Sequence, residues 1–180
     1  MGMKGDAKAI SFVEDTAVAP ERLRDYIARF QQVVARRGTQ AGVYAHASVG
    51  CLHVRPVINL KTAEGLAQFE AIAHDVADLV LEFGGALSGE HGDGLVRSEW
   101  IAPFFGPRLT SALAEIKSWF DPKGVMNPGK IVNPPRQDDR SLFRYPPGYA
   151  AQVVDSAGAS QPRPGALDWS PWGGFAGAVE

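Results

Sequence analysis

From Pro20 to Arg37, apolar residues recur at three- and four-residue intervals: Leu23, Ile27, Phe30, Val33 and Val34. That spacing gathers them on one side of a helix. Pro20 suits a first helical turn, and Gly38 a stop. The same period is stronger over Thr62 to Phe83. There Leu66, Phe69, Ile72, Ala73, Val76, Leu79 and Val80 form one stripe, and Gly84-Gly85 end it. A third helix is predicted over Leu109 to Phe120, closed by Asp121-Pro122-Lys123-Gly124. Three further stretches mix β-branched and apolar residues with polar interruptions and predict strands: Ala9 to Val18 (AISFVEDTAV), Gly42 to Ser48, and Cys51 to Leu60. Strand–helix–strand–strand–helix order predicts an α+β domain, helices on one face of a mainly antiparallel sheet. Beyond about residue 132 the pattern stops. Pro134-Pro135, Pro146-Pro147, Ser156 to Ser160 and Pro162-Arg163-Pro164 carry little apolar periodicity and predict an extended C-terminal tail.

Composition narrows the function classes. The chain has 18 basic and 20 acidic residues among 180, so neither a nucleic-acid nor an anionic-membrane partner is implied. A single cysteine, Cys51, excludes an intrachain disulfide framework and any cluster held by several thiolates of this chain. That usage fits a cytoplasmic setting. No apolar run approaches the ~20 residues that span a bilayer. Met1-Gly2-Met3 reads as an appended start, which predicts a piece of something longer.

Candidate chemistry sits in two places. In 44-YAHASVGCLHVRP-56, a turn at Val49-Gly50 would set residue 48 opposite 51, 47 opposite 52, and His46 opposite His53. Opposed residues of a hairpin share a face, with Cβ atoms roughly 4.5–5.5 Å apart, close enough for two imidazoles to grip one ion. Val at that turn fits poorly with a tight hairpin, so a looser loop is the alternative. In 85-GALSGEHGDGLVRSEW-100, Glu90 and His91 stand side by side among glycines that permit unusual backbone angles. The intervening helix can return Glu90 to the hairpin. Two imidazoles and a carboxylate leave positions open for water or substrate, as in catalytic zinc sites; manganese or iron(II) also accepts such a set. Adjacent side chains on extended backbone point apart, so His91 is free to act as a general base beside a metal held by Glu90. Arg55 and Arg97 are candidate carboxylate clamps, against a plain structural role for each. His74 reads as a packing residue, Cys51 as inert, and 121-DPKGVMNPGKIV-132 as a helix end and turn.

These residues resemble the C-terminal part of FAD-linked oxidases of the vanillyl-alcohol-oxidase type, which include D-lactate, glycolate and D-2-hydroxyglutarate dehydrogenases. The family's three motifs are close to GHxGDGNLHxN, AEHGxG and DPxGxxNPGK. They are matched in order by 45-AHASVGCLHVR-55, 89-GEHGDG-94 and 121-DPKGVMNPGK-130. The resemblance covers roughly residues 8–132. It implies a ferredoxin-like sheet capping a flavin, with FAD held mainly by an N-terminal domain outside this chain. It implies His46, His53 and Glu90 as ligands of a divalent metal, zinc first, and His91 as the base that takes the substrate's hydroxyl proton. Asn127, Gly129 and Lys130 match the turn that approaches the cofactor; Arg55 and Arg97 stay candidate substrate contacts on their guanidinium chemistry. Ser48, Val49 and Cys51 stand where the common motif has Gly, Asp and Asn, and Arg55 replaces its final Asn. The form HASVGCLHVRP, with 167-LDWSPWGGFAGAVE-180, is similar instead to a longer subgroup that continues into a 4Fe-4S region.

The expected division is therefore residues 1–8 as linker, 9–132 as the FAD-linked oxidase C-terminal domain, and 133–180 as an extended linker towards an iron–sulfur region. The partners expected are a small 2-hydroxy acid and the FAD-binding and iron–sulfur regions of the same polypeptide. The expected location is cytoplasmic, at most peripheral at the inner face of the membrane, and the chain alone should be inactive. Two other classes stay open, a metal hydrolase and a non-catalytic α+β interaction module. Convergence of His46, His53 and Glu90 separates the last from the rest.

Overall fold

Residue 3 and residues 5–143 are described by the computed structural model of the chain. Four strands are formed: β1 (Lys8–Ala9), β2 (Thr16–Ala17), β3 (Ala41–His46) and β4 (Cys51–Ile58). The helices are α1 (Leu23–Arg36), α2 (Ala63–Glu82), a single turn α3 (Gly94–Arg97), and α4 (Ile101–Phe120). All pairing is antiparallel, and β4 is central. Leu52 pairs with Ala45 of β3 on one edge and with Thr16 of β2 on the other. Ala17 then pairs outward with Ala86. Across the sheet the order is Ala86, the β1/β2 stretch, β4 and β3, the interleaving of a ferredoxin-like split βαβ unit.

The two long helices bury the faces their periodicity predicts. In α1 these are Leu23, Phe30, Val33 and Val34, with Tyr26 buried as well and the expected Ile27 only partly buried. In α2 they are Phe69, Ile72, Ala73, Val76, Leu79 and Val80, with Ala77 added. Thr62 caps α2, its hydroxyl accepting from Gly65 N at 3.0 Å, worth about 1 kcal/mol. Against these stripes β4 presents Leu52, Val54 and Ile58, all at most 1% exposed and all in the core. Full burial of each such side chain stabilises by about 1.5–3 kcal/mol. Side chains alternate across a strand, so Cys51, His53 and Arg55 face away from the helices.

Several expected boundaries move. The first strand is not continuous. It breaks into β1 and β2 because Asp15 adopts φ 66°, a left-handed conformation that ends pairing between them. The hairpin register shifts as well: His46 pairs with Cys51, and Tyr44 with His53. The connection is a four-residue loop in which Ala47–Val49 make one 3-10 turn and Gly50 closes it at φ 69°. A Cβ at Gly50 would lie 1.8 Å from Val18 O, so only glycine fits. The looser loop is the one that forms. Helix α4 starts earlier than predicted and kinks where Gly106 (φ 71°, ψ 173°) precedes Pro107, which restarts it. The segment expected as linker from residue 133 lies packed on α2 as far as Phe143. Phe143 meets Phe69 edge-on at 5.9 Å, and Arg136 pairs with Glu70 at 3.0 Å. Lys8, expected in a leading linker, belongs to β1. The rest of the extended tail, from residue 144, falls outside the described residues.

Candidate metal centre

Diagonal neighbours on one sheet face bring the histidines together. Tyr44 opposes His53 and His46 opposes Cys51, so all four project from the side of the sheet away from the helices. The imidazoles of His46 and His53 lie perpendicular, with centroids 4.9 Å apart. The Tyr44 ring stacks on His53 at 4.5 Å and 11°, holding its plane.

Glu90 arrives from the loop after α2. Its Oε1 lies 2.9 Å from His53 Nε2 and 3.4 Å from His46 Nε2. One ligand atom from each of His46, His53 and Glu90 falls within 4.8 Å of the others. Nitrogen and oxygen ligands at ~2.0–2.1 Å from a tetrahedral zinc would be separated by about 3.3 Å. The donor set and its spacing fit such an ion, and the partial exposure of His46 and Glu90 leaves a side open. Convergence of the three removes the observation that would have favoured a bare interaction module.

Two residues that sequence reasoning passed over organise this face. Glu14 is 5% exposed, and its Oε1 lies 3.3 Å from His53 Nδ1, on the other side of the ring from Glu90. The same oxygen accepts from Arg55 at 2.9 Å and from the Tyr44 hydroxyl at 3.3 Å. Burial alone would raise the Glu14 carboxyl. Hydrogen bonds from Arg55, Ser11 and His53 and the charge of Arg55 outweigh it and hold the pKa below its ordinary value. An ionised Glu14 thus sets a negative charge behind the His53 ring, opposite Glu90. Asp15, fully buried, accepts at Oδ2 from Ser88 Oγ at 3.0 Å, Glu90 N at 3.0 Å and His91 N at 2.6 Å. The visible signal was the pair of adjacent acids inside an apolar stretch. Buried carboxylates are expensive unless partnered, so the pair implied donors facing it.

His91 stands beside the cluster, half exposed, its ring 5.3 Å from that of His53. Arg55 is 40% exposed at the rim, bound to Glu14 through one nitrogen only. Arg97 differs from the clamp expected of it. Its side chain is turned inward, donating to Glu14 O at 2.7 Å and Gly92 O at 2.6 Å and pairing with Asp15 Oδ1 at 3.2 Å. Those bonds hold the glycine loop against the β1–β2 bend. Gly89 makes the same junction close: its N donates to Asp15 O at 2.6 Å, and a Cβ there would meet Cys51 Sγ at 3.1 Å. Cys51 is buried with its thiol pKa pushed up, first by burial and then by the charges of Glu90, Asp15 and Glu14. It stays a thiol, in keeping with an inert role. His74 packs edge-on against Trp100 at 4.5 Å.

Asn127, Gly129 and Lys130 lie in the turn after α4, away from the helices' core. Asn127 takes φ 47° and Gly129 φ 74°. Lys130 Nζ donates to Pro128 O at 3.2 Å. The turn is anchored at both ends. Asp121 accepts from Val125 N and Met126 N, each at 2.9 Å, and Ile131 N donates to Ser98 Oγ at 2.8 Å. No helix among the described residues is long and apolar enough to cross a membrane.

Residues 1–131 match the family described as FAD linked oxidases, C-terminal domain. The chain is 47% identical over 131 residues to a D-2-hydroxyglutarate dehydrogenase of Haemophilus influenzae, and 43% identical over 131 residues to one of Escherichia coli. In each case the match covers 73% of this chain and 13% of the relative. A D-lactate dehydrogenase of Archaeoglobus fulgidus is 30% identical over 129 residues, 72% of this chain and 28% of that protein. The chain thus spans well under a third of the relatives it matches.

Proposed function

The chain belongs to the family of FAD linked oxidases, C-terminal domain, and from that premise we propose that it is the active-site segment of a flavin-dependent dehydrogenase oxidising a D-2-hydroxy acid to the 2-oxo acid. The observation that carries the reading is the meeting of His46, His53 and Glu90 with His91 alongside. Similarity to D-2-hydroxyglutarate and D-lactate dehydrogenases supports the substrate class. In this reading residues 9–132 carry the catalytic chemistry and the remaining chain leads to an iron–sulfur region. The protein works in the cytoplasm, at most peripherally at the membrane.

His46, His53 and Glu90 would hold a divalent ion, zinc first. When bound, that ion would polarise the hydroxyl and carboxylate oxygens of the substrate, and a bound flavin would supply the acceptor for the hydride leaving C2. His91 takes the hydroxyl proton at a ring nitrogen as the C2–H bond breaks and the C2–O bond becomes a carbonyl. Arg55, with nitrogens not engaged by Glu14, faces the site rim where an anionic substrate enters, and a guanidinium suits a carboxylate there. Tyr44 and Glu14 keep the His53 ring fixed while this happens. Asn127, Gly129 and Lys130 would form the turn that meets the flavin, and Arg97 acts on the site by securing its loop rather than by touching substrate.

The test uses the complete flavoprotein that contains this segment, screened with D-lactate and D-2-hydroxyglutarate against their L-isomers. Oxidation of a D-isomer, lost in His91→Ala with metal content intact, is the expected result. Unchanged turnover in His91→Ala would remove it as the base.

A further inference from the structure

We propose that the cavity between β1, the end of β4, α2 and the strap 136–143 is a binding site for a small amphipathic carboxylate. Its ligand has the hydrocarbon body of a medium-chain fatty acid, and an acid group met by Gln137 and drawn by Lys8. The cavity shares no residue with the cluster of His46, His53 and Glu90, and the inference stands without the reading of that cluster.

The cavity has a volume of about 360 Å3, at the small end of the ~300–1,000 Å3 that ligand pockets occupy. Its walls include Ile10, Phe12, Ile58, Leu60, Phe69 and Phe143. Three of these are aromatic and in contact: the Phe69 ring lies 4.4 Å from that of Phe12 and 5.9 Å from that of Phe143. The strap that completes the enclosure is pinned in place. Arg136 pairs with Glu70 at 3.0 Å, and Gln137 N donates to Glu99 Oε2 at 2.8 Å.

Two polar groups interrupt the apolar lining, and they decide what it can take. Gln137 Nε2 is buried with no hydrogen-bond partner among the described residues. A buried donor left empty is costly, and an acceptor brought by a ligand removes that cost. Lys8 supplies charge. Of the three cations on the wall, Lys61 pairs with Asp6, and Arg136 with Glu70 and Asp138, whereas Lys8 donates to the neutral carbonyl of Met3. An acceptor that is also an anion answers both Gln137 and Lys8, and a carboxylate is the simplest such head. The remaining surface favours hydrocarbon. A purely apolar molecule would leave the Gln137 donor empty, and a small polar anion would trade water for walls that offer it no hydrogen bonds.

The experiment is titration of the 13C,15N-labelled 180-residue chain with octanoate at neutral pH, followed by NMR, with 1-octanol as the uncharged counterpart. Octanoate should bind one equivalent with Kd below about 1 mM, moving the Gln137 side-chain amide signal and the ring signals of Phe69 and Phe143. It should bind about 10-fold tighter than octanol, the usual worth of a hydrogen bond to a charged group. Gln137→Leu keeps the bulk and removes the donor, so it should cost octanoate about 10-fold and leave octanol unchanged. Lys8→Met, at an exposed strand position, should cost octanoate about 3-fold, as a solvent-screened charge does. Failure to bind octanoate overturns the proposal, as does equal affinity for octanol. Binding that leaves the Gln137 amide signal unmoved, or native affinity in Gln137→Leu, overturns it as well. Shifts of the same signals that follow protein concentration alone would give the cavity to a second copy of the chain, and would equally overturn it.

Discussion

The two faces of β4 are made from the same eight residues and do opposite things. Toward the helices, Leu52, Val54 and Ile58 belong to the apolar core, where packing shape dominates the energy. Toward the site, Cys51, His53 and Arg55 meet Glu14, Asp15 and Glu90 from two different loops. Every polar group on that side depends on a specific partner. A period of two lets one strand serve as core and as scaffold at once. The consequence is that the two faces should fail differently when altered.

The largest effect belongs to the helix side. Ile72→Ala, at a fully buried position of α2, should lower stability by about 2–5 kcal/mol, read from urea unfolding, while the folded fraction still binds one zinc. A smaller stability loss would mean that the face is less tightly packed than its burial indicates. On the site side, His53→Ala should weaken zinc binding by more than about 100-fold, exceeding what outer partners contribute. Equilibrium dialysis measures it. Glu14→Gln comes next, with an expected loss of about 10- to 100-fold in zinc affinity and little change in helix content by circular dichroism. Loss of helix in that variant would show Glu14 to be part of the core rather than of the site.

The smallest effect lies outside both faces, in the turn after α4. The Asp121 carboxyl is held below an aspartate's ordinary value of about 3.9, first by the hydrogen bond from Lys117 and then by Met126 N and Val125 N. A depressed pKa means that the folded turn prefers the ionised form. The turn is therefore fully braced above the ordinary value and loosens as pH falls through the depressed one. Amide exchange at Val125 and Met126 should quicken across that acid window, and Asp121→Asn should make it independent of pH there.

Helices α1 and α2 were legible because their burial is periodic: most of the stripe from Leu23 to Val34 and of that from Leu66 to Val80 packs, with Ile27 and Leu66 only partly buried. The meeting of His46, His53 and Glu90 was legible because they are unusual residue types for their surroundings and lie in a matching motif order. The hairpin register was not. Val49-Gly50 looked like the turn, but Gly50 closes a four-residue loop whose shape is set by contact with Val18, distant in sequence. Arg97 was misplaced for a similar reason. Its partners Glu14 and Asp15 lie some 80 residues earlier, and only folding shows that they claim its guanidinium. The break at Asp15 hid inside a stretch of good strand formers, where one left-handed residue overrides propensity.

The account turns on one cation held by three side chains from two parts of the chain. Calorimetric titration of the purified 180-residue chain with zinc tests it most directly, alongside His46→Ala and Glu90→Gln. The account predicts one equivalent bound by the native chain and a large loss of affinity in each variant. A native chain that takes up no zinc, or variants that bind as tightly as it does, would contradict it.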